Sequence, residues 1–409
     1  MSQGNRLFPI SVVALVALLL ASRAAAEVPW FLPLGDLAGG PFESMALAVS
    51  ADGNTIVGRG APRWPDDDGN DFGWEALRWT AGGEMTSLGS LPGWPATTAT
   101  GVSGDGRVVS VTARYGNYGE YSRACRWTAA NGLQNLGTLG GVPGSQWSYA
   151  AGCSADGTTI VGGSSSATGR QAFRWTETGG MEGLGYLSDT SSSYATGVSA
   201  DGQVIVGNGR STFPEAFRWT AAEGMVGLGR PLGADGTSAW AVSLDGMVIV
   251  GDVALSASRN RGFRWTQNGG FADLGPPPGP GGSVNPRCVS GDGSVIGGWY
   301  GRPIDDDPDA EWVTAFVWDS EHGVRDLKSL LLSCGVEAVA DWFLAEVRGV
   351  SADGLTLVGY GTHADGSGGW ATEAFLVRLP EPATGLLVCV ALVAIRRCRT
   401  SRPRTPADC

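Results

Sequence analysis

The sequence predicts an all-β fold: a seven-bladed β-propeller of four-stranded antiparallel blades, with the N-terminal strand closing the last blade. Three observations carry that expectation. They are a sevenfold internal repeat, four short apolar segments in each copy, and array ends that are out of phase in a complementary way.

A Ser-x-Asp-Gly turn marks each repeat, with its aspartates at Asp52, Asp105, Asp156, Asp201, Asp245, Asp292 and Asp353, spaced 53, 51, 45, 44, 47 and 61 residues apart. Each turn leads into a short apolar strand of the type Ile56-Val57-Gly58 or Ile160-Val161-Gly162. After a variable loop comes Phe-Arg-Trp-Thr, plain at Phe173–Thr176, Phe217–Thr220 and Phe263–Thr266 and degenerate around Trp79, Trp127, Trp318 and Phe375. A tight turn such as Gly179-Gly180 and a strand ending in Leu-Gly, such as Met181 to Gly185, complete the unit. Asp-Gly between apolar strands signals a two-residue hairpin, because a type I′ turn needs positive φ at both central residues. Four such strands form a meander that cannot bury both its faces alone. Seven stacked around an axis can.

The phase of the array favours closure. The expected mature chain opens on a Leu-Gly strand, Phe31 to Gly35, and the last repeat ends on its Phe-Arg-Trp equivalent, Phe375 to Arg378, with no Leu-Gly strand after it. Every element is present seven times only if the first strand completes the last blade, which leaves no half-built sheet exposed. The domain expected from this spans residues 27–379.

Composition agrees. The 409 residues include 65 Gly and 16 Trp with only 17% charged side chains, a chain rich in turns and too apolar and aromatic for disorder. A net charge of −12, with Lys328 the only lysine, argues against nucleic acid as a partner. Residues 1–26 read as a signal peptide: Arg6, an apolar run from Ile10 to Leu20, and small residues Ala24 to Ala26 at the cleavage site. Among the seven cysteines, Cys125, Cys153 and Cys288 fall in or beside repeated strands, where burial and, for Cys125–Cys153, a disulfide are both open readings. Cys334 falls in an irregular insert.

In a four-strand meander the turns after strands one and three emerge on one side and the connections after strands two and four on the other. The first set is uniform. The second varies, including 60–73, 301–311 and 327–341, and it is the expected binding face. Trp94, Trp147, Tyr194, Trp240 and Trp342 all precede Ser-x-Asp-Gly strands on that side. They are candidate ligand-binding aromatics, able to stack on sugar rings or else to pack between blades. Asp66, Asp68 and Asn70 alternate as calcium-binding oxygens do. However, Asp71 stands where an EF-hand has Gly and no Glu completes the loop, so a solvated loop is the plainer reading. With two histidines, His322 and His363, and no nucleophile, metal-ligand or phosphate-loop spacing, no catalytic residues are assigned and no cofactor is expected.

Two resemblances follow from quoted residues. Units such as Gly197-Val198-Ser199-Ala200-Asp201-Gly202, with the Phe-Arg-Trp and Leu-Gly segments, resemble the HAF family of bacterial extracellular repeats across nearly the whole mature chain, which implies an extracellular location more than any activity. Pro380-Glu381-Pro382, an apolar run from Ala383 to Ile395, and Arg396-Arg397-Cys398-Arg399 resemble the PEP-CTERM sorting signal of Gram-negative bacteria (380–399), followed by a polar tail, 400–409. That resemblance implies transient inner-membrane anchoring, with arginines held on the cytoplasmic side, and processing by an exosortase at Pro380, Glu381 and Pro382. Thirteen apolar residues are short for a span, so cleavage and retention stay open. The expected function is a non-enzymatic surface or matrix module that binds extracellular polysaccharide or a surface protein. The alternative is a glycosidase or lyase using carboxylates at the propeller mouth.

Overall fold

The computed structural model describes residues 29–380, except 40–41, 63–72, 116–121, 142, 145, 189, 212, 256–258, 280–281 and 305–306. The signal peptide with Ala24 and Ala26, the loop with Asp66, Asp68 and Asn70, and the sorting residues Glu381, Pro382, Arg396, Arg397 and Arg399 lie outside them; Pro380 is the last residue inside.

Seven four-stranded antiparallel sheets form a β-propeller. The innermost strands are Ser44–Val49, Ala96–Val102, Ser148–Cys153, Ser192–Val198, Ala234–Val242, Val284–Val289 and Trp342–Val350, one per blade. Each contacts the next, and the last contacts the first, so the ring is closed. The outermost strand of the seventh blade is the N-terminal one, Trp30–Pro33, paired with Trp370–Arg378 in the register Phe31↔Val377 and Leu32↔Leu376. Closure is therefore as expected from the phase of the repeat.

A hydroxyl near the start of each of the first five inner strands fastens its blade to the one before. Ser148 Oγ donates to Gly137 O and accepts from Ala124 N, and Ser193 does the same with Gly185 and Ala172. Ser44 makes the equivalent pair with Gly35 O and Ala374 N, residues from opposite ends of the chain. Phe31 is buried against Trp342 and Phe375, with ring centroids 5.0 and 5.9 Å away.

The Ser-x-Asp-Gly hairpins differ from the expected two-residue turns. The serine carbonyl accepts from the glycine N–H three residues on, and the strands resume pairing only at Ser50 N to Thr55 O, across a four-residue connection. Side chains are the reason. In all seven turns the buried serine Oγ donates to the aspartate and accepts from the N–H five residues on, while the aspartate accepts from the N–H two residues beyond it. The carboxylate and hydroxyl thus satisfy donors that a tighter turn would pair with backbone.

Two further details depart from expectation. The insert 327–341 is not irregular throughout: Leu327–Ser333 is a helix capped by Asp326, which accepts from Ser329 N at 2.7 Å, and it buries Leu327 and Leu331. The repeat motif also leads one to expect its tryptophans in the core: Trp79 and Trp175 are buried, but Trp127, Trp219, Trp265 and Trp318 are half-buried. Cys125, Cys153, Cys288 and Cys334 are free thiols, so the Cys125–Cys153 disulfide is not formed.

Candidate functional site

The inner strands enclose a channel of about 680 Å³ along the propeller axis. One end is apolar and narrow. The residue before each turn serine (Val49, Val102, Cys153, Val198, Val242, Val289 or Val350) faces it, and beyond these the space contracts to about 70 Å³. There the turns are tied blade to blade by backbone bonds: Gly104 N to Ala155 O at 2.8 Å, Ala200 N to Leu244 O at 2.9 Å and Ala352 N to Ala51 O at 2.9 Å among them.

The opposite end is the mouth, and it is built by a repeated irregularity. All seven inner strands carry a β-bulge three residues before the turn serine. The bulged residues are Leu47, Thr100, Ala151, Thr196, Trp240, Arg287 and Arg348. Every one of them lines the channel. A bulge leaves an extra residue unpaired and re-aims its side chain. Here it points seven side chains of differing chemistry into one opening. In six of the seven blades the glycine of Ile-Val-Gly accompanies this device: a Cβ on Gly207 would lie 2.1 Å from the carbonyl oxygen of Tyr194. In the second blade Val111 stands at that position.

The bulge ring is asymmetric. Blades one to three contribute Leu47, Thr100 and Ala151; blades four to seven contribute Thr196, Trp240, Arg287 and Arg348. Arg287 is the best-fixed of these. Its guanidinium lies over the Trp240 ring at 4.3 Å and the Trp299 ring at 5.8 Å, and its Nε donates to Glu346 Oε1 at 3.0 Å. Arg348 donates to the same oxygen at 3.3 Å, and Tyr360 donates to Oε2 at 3.0 Å. The Trp240 indole N–H donates to Asp252, whose carboxyl is pushed above the usual carboxylate range by burial, against the pull of Trp240 and Arg287. Burial likewise pushes the Tyr360 hydroxyl to about 12, with Glu346 adding to it, and the channel-lining thiols of Cys153 and Cys288 to about 12. These thiols are inert as nucleophiles at neutral pH.

The five sequence-selected aromatics do not form one ring. Tyr194 and Trp240 line the channel. Trp94 lies outside it beneath Arg123, whose guanidinium is 4.7 Å from the ring centre. Trp147 stacks on Tyr149 at 5.9 Å, with Arg170 5.4 Å away. Trp342 is buried against Phe31 and His363. Measured back from the turn serine they stand nine, seven, five, three and nine residues away, and that spacing sets their different depths. Sequence reasoning passed over Arg287 and Arg348, whose signal was the strand glycine that marks a bulge.

Among the described residues no group of three or more His, Cys, Asp or Glu is placed to hold a metal ion, and no helix is long and apolar enough to cross a membrane. No protein-family model matches the chain, and no curated protein does. In overall shape it is similar to an oligogalacturonate lyase in complex with manganese (TM-score 0.50, 13% identity, 88% of this chain and 95% of that one). It is similar to the oligogalacturonate lyase of Vibrio parahaemolyticus to the same degree (TM-score 0.50, 10% identity, 86% and 94%). A putative TolB from Agrobacterium tumefaciens is a further neighbour (TM-score 0.44, 18% identity, 73% and 94%). At such identities the likeness is one of fold alone. The chain belongs to the class of β-propellers whose axial channel opens on one face.

Proposed function

We propose that this chain is an exported binding module whose ligand enters the channel mouth. The ring of seven bulges carries the reading: the bulge is kept at one position in every blade, while the side chain it presents changes from blade to blade. Uniform strands with variable presented residues are the arrangement of a recognition surface on a rigid scaffold. The volume, about 680 Å³, falls within the ~300–1,000 Å³ typical of small-ligand sites, which favours a saccharide or other small ligand over a folded partner.

Export rests on the signal peptide, the HAF-type repeat and the PEP-CTERM-like tail. The geometry adds an orientation to it. Trp30 pairs with Arg378, and Leu379 N bonds Leu355 O beside the last turn, so both ends of the ring leave from the narrow face. A tail that anchors at the inner membrane before exosortase processing would hold the narrow face inward and the mouth outward.

The enzyme alternative has less support. It calls for carboxylates at the mouth, yet none lines the channel among the described residues, and the two behind it, Asp252 and Glu346, are buried and hydrogen-bonded. The oligogalacturonate lyases share only the fold. A glycan array probed with the full chain and with Trp240→Ala tests the reading. Binding by the wild type that Trp240→Ala abolishes, with no new chain ends released, is the expected result. Binding indifferent to Trp240→Ala overturns the mouth as the site, and release of new ends establishes the enzyme.

A further inference from the structure

The charge of the channel is opposite to that of the protein. Arg114, Arg287 and Arg348 line it, and no aspartate or glutamate does so among the described residues, in a chain of net charge −12. Setting both buried carboxylates behind the wall, Glu346 and Asp252, against these three arginines still leaves one positive charge. A low-dielectric cleft of one sign concentrates ions of the other, so a cationic channel in an acidic protein selects for anions.

Arg287 gives that selectivity a geometry. Trp240 and Glu346 hold its guanidinium in place, and its Nη1 is buried without a hydrogen-bond partner. A buried donor left unpaired is costly, and a guanidinium fixed in this way at the channel wall is the planar, permanently charged fork that suits a two-oxygen anion. Beside it, Trp240 and Tyr194 offer aromatic surface, and Thr100 and Thr196, whose hydroxyls donate to Ser110 O and Ala239 O, offer only their remaining acceptor lone pairs, a combination that suits sugar rings and their hydroxyl donors. The narrow end passes no sugar, so a chain must enter by its terminus.

We infer that the mouth is a receptor for the end unit of an acidic saccharide, its charge borne by carboxylate or sulfate, gripped by Arg287. This rests on the proposed reading of the mouth as the ligand site. The test is titration calorimetry on the full chain with four saccharides and one peptide. The saccharides are a glucuronate tetramer, its methyl ester, a sulfated galactose tetramer and its desulfated form; the peptide is tetraglutamate. At least one acidic saccharide should bind tenfold or more tighter than its neutralised form, with affinity falling as salt rises, and the pair in which this holds identifies the charge. Arg287→Gln should erase that preference, while Arg123→Gln, outside the channel, should keep it. If Arg287→Gln fails to fold, Arg348→Gln serves in its place and should weaken the preference. Equal affinity for charged and neutral forms overturns the inference. If Trp240→Ala then still abolishes binding, the mouth stands as a neutral-glycan site. Tighter binding of tetraglutamate overturns the saccharide assignment, and failure of all five probes overturns the inference.

Discussion

Arg287 in the sixth blade donates through Nε to Oε1 of Glu346 in the seventh, 3.0 Å away and almost wholly out of solvent. The pair joins two blades at the mouth and shares its carboxylate with Arg348 and Tyr360. Removing one member leaves a buried charge uncompensated. Glu346→Gln should cost about 3 kcal/mol in urea denaturation. The double variant Glu346→Gln/Arg287→Gln should lose clearly less than the sum of the two single ones. Additive losses would show that the pair is not coupled.

The closing strand is held by apolar burial as well as by its ladder. Phe31→Ala removes the ring between Trp342 and Phe375 and should cost about 3–4 kcal/mol. Deleting Trp30–Pro33 would bare the Trp370–Arg378 edge and should produce oligomers in size-exclusion chromatography, because an unpaired strand templates pairing with another chain. A deletion variant that stays monomeric and equally stable would contradict the closure.

Stability should peak in mildly acidic solution. Burial pushes the Asp36 carboxyl from 3.8 up to about 6, beside the closing strand; its bonds from the N–H groups of Glu43 and Leu37 oppose the shift, and the charges of Glu43 and Glu373 add to it. A raised folded-state value means that its contribution is complete below 3.8 and is lost as pH rises through about 6. The turn aspartates act in the opposite direction. Asp105 and Asp201 are held below the ordinary value by their serine hydroxyl and by the backbone N–H two residues on. In Asp52, Asp156 and Asp353, burial pulls upward, but the same bonds overcome it. Their contribution is present above 3.8 and is lost as pH falls. Denaturant midpoints should therefore be highest between about pH 4 and 5 and fall towards 7 by about 1 kcal/mol, the linkage value being reduced because Asp36 is partly exposed. Asp252, also raised by burial, acts in the same direction as Asp36. Asp36→Asn should therefore reduce the slope above pH 5 without abolishing it; an unchanged slope would locate the effect elsewhere.

The thiols offer a simple check on packing. Cys125 and Cys288 are buried, and burial pushes both thiols to about 12. Neither should take up iodoacetamide in the folded protein at pH 8, and both should do so in urea, as read by mass spectrometry of the tryptic peptides. Modification of Cys125 before unfolding would mean that the blades open locally, whereas modification of Cys288 alone would report reagent entering the channel that it lines.

Each turn serine carries one buried hydroxyl with two bonds, so Ser199→Ala should cost about 1–2 kcal/mol. Because blades two and five are not neighbours, Ser103→Ala and Ser243→Ala should add within about 0.5 kcal/mol. A large interaction between them would show that the ring deforms as a unit.

The number of blades, their strand order, the closing strand and the sidedness of the loops were legible in the sequence. Each follows from a local pattern repeated seven times, and repetition makes the local pattern a statement about the whole ring. The orphan segment from Phe31 to Gly35 was enough to predict its partner at Phe375 to Arg378. The mouth was only half legible. Tyr194 and Trp240 stood out as aromatics, whereas Trp94, Trp147 and Trp342 have the same composition and a different depth. Arg287 and Arg348 looked like ordinary surface charge in the sequence. Depth and direction are set by the bulge, which inserts one residue and turns it inward; the sequence shows that only as a glycine such as Gly207 on the neighbouring strand. Nor does any spacing bring Arg287 onto Trp240 and Glu346, which lie 47 and 59 residues away in adjacent blades. Local hydrogen-bonding and burial preferences determined the ring from sequence alone. Which side chains meet across its axis was decided by the tertiary structure, because that depends on how seven separate sheets close.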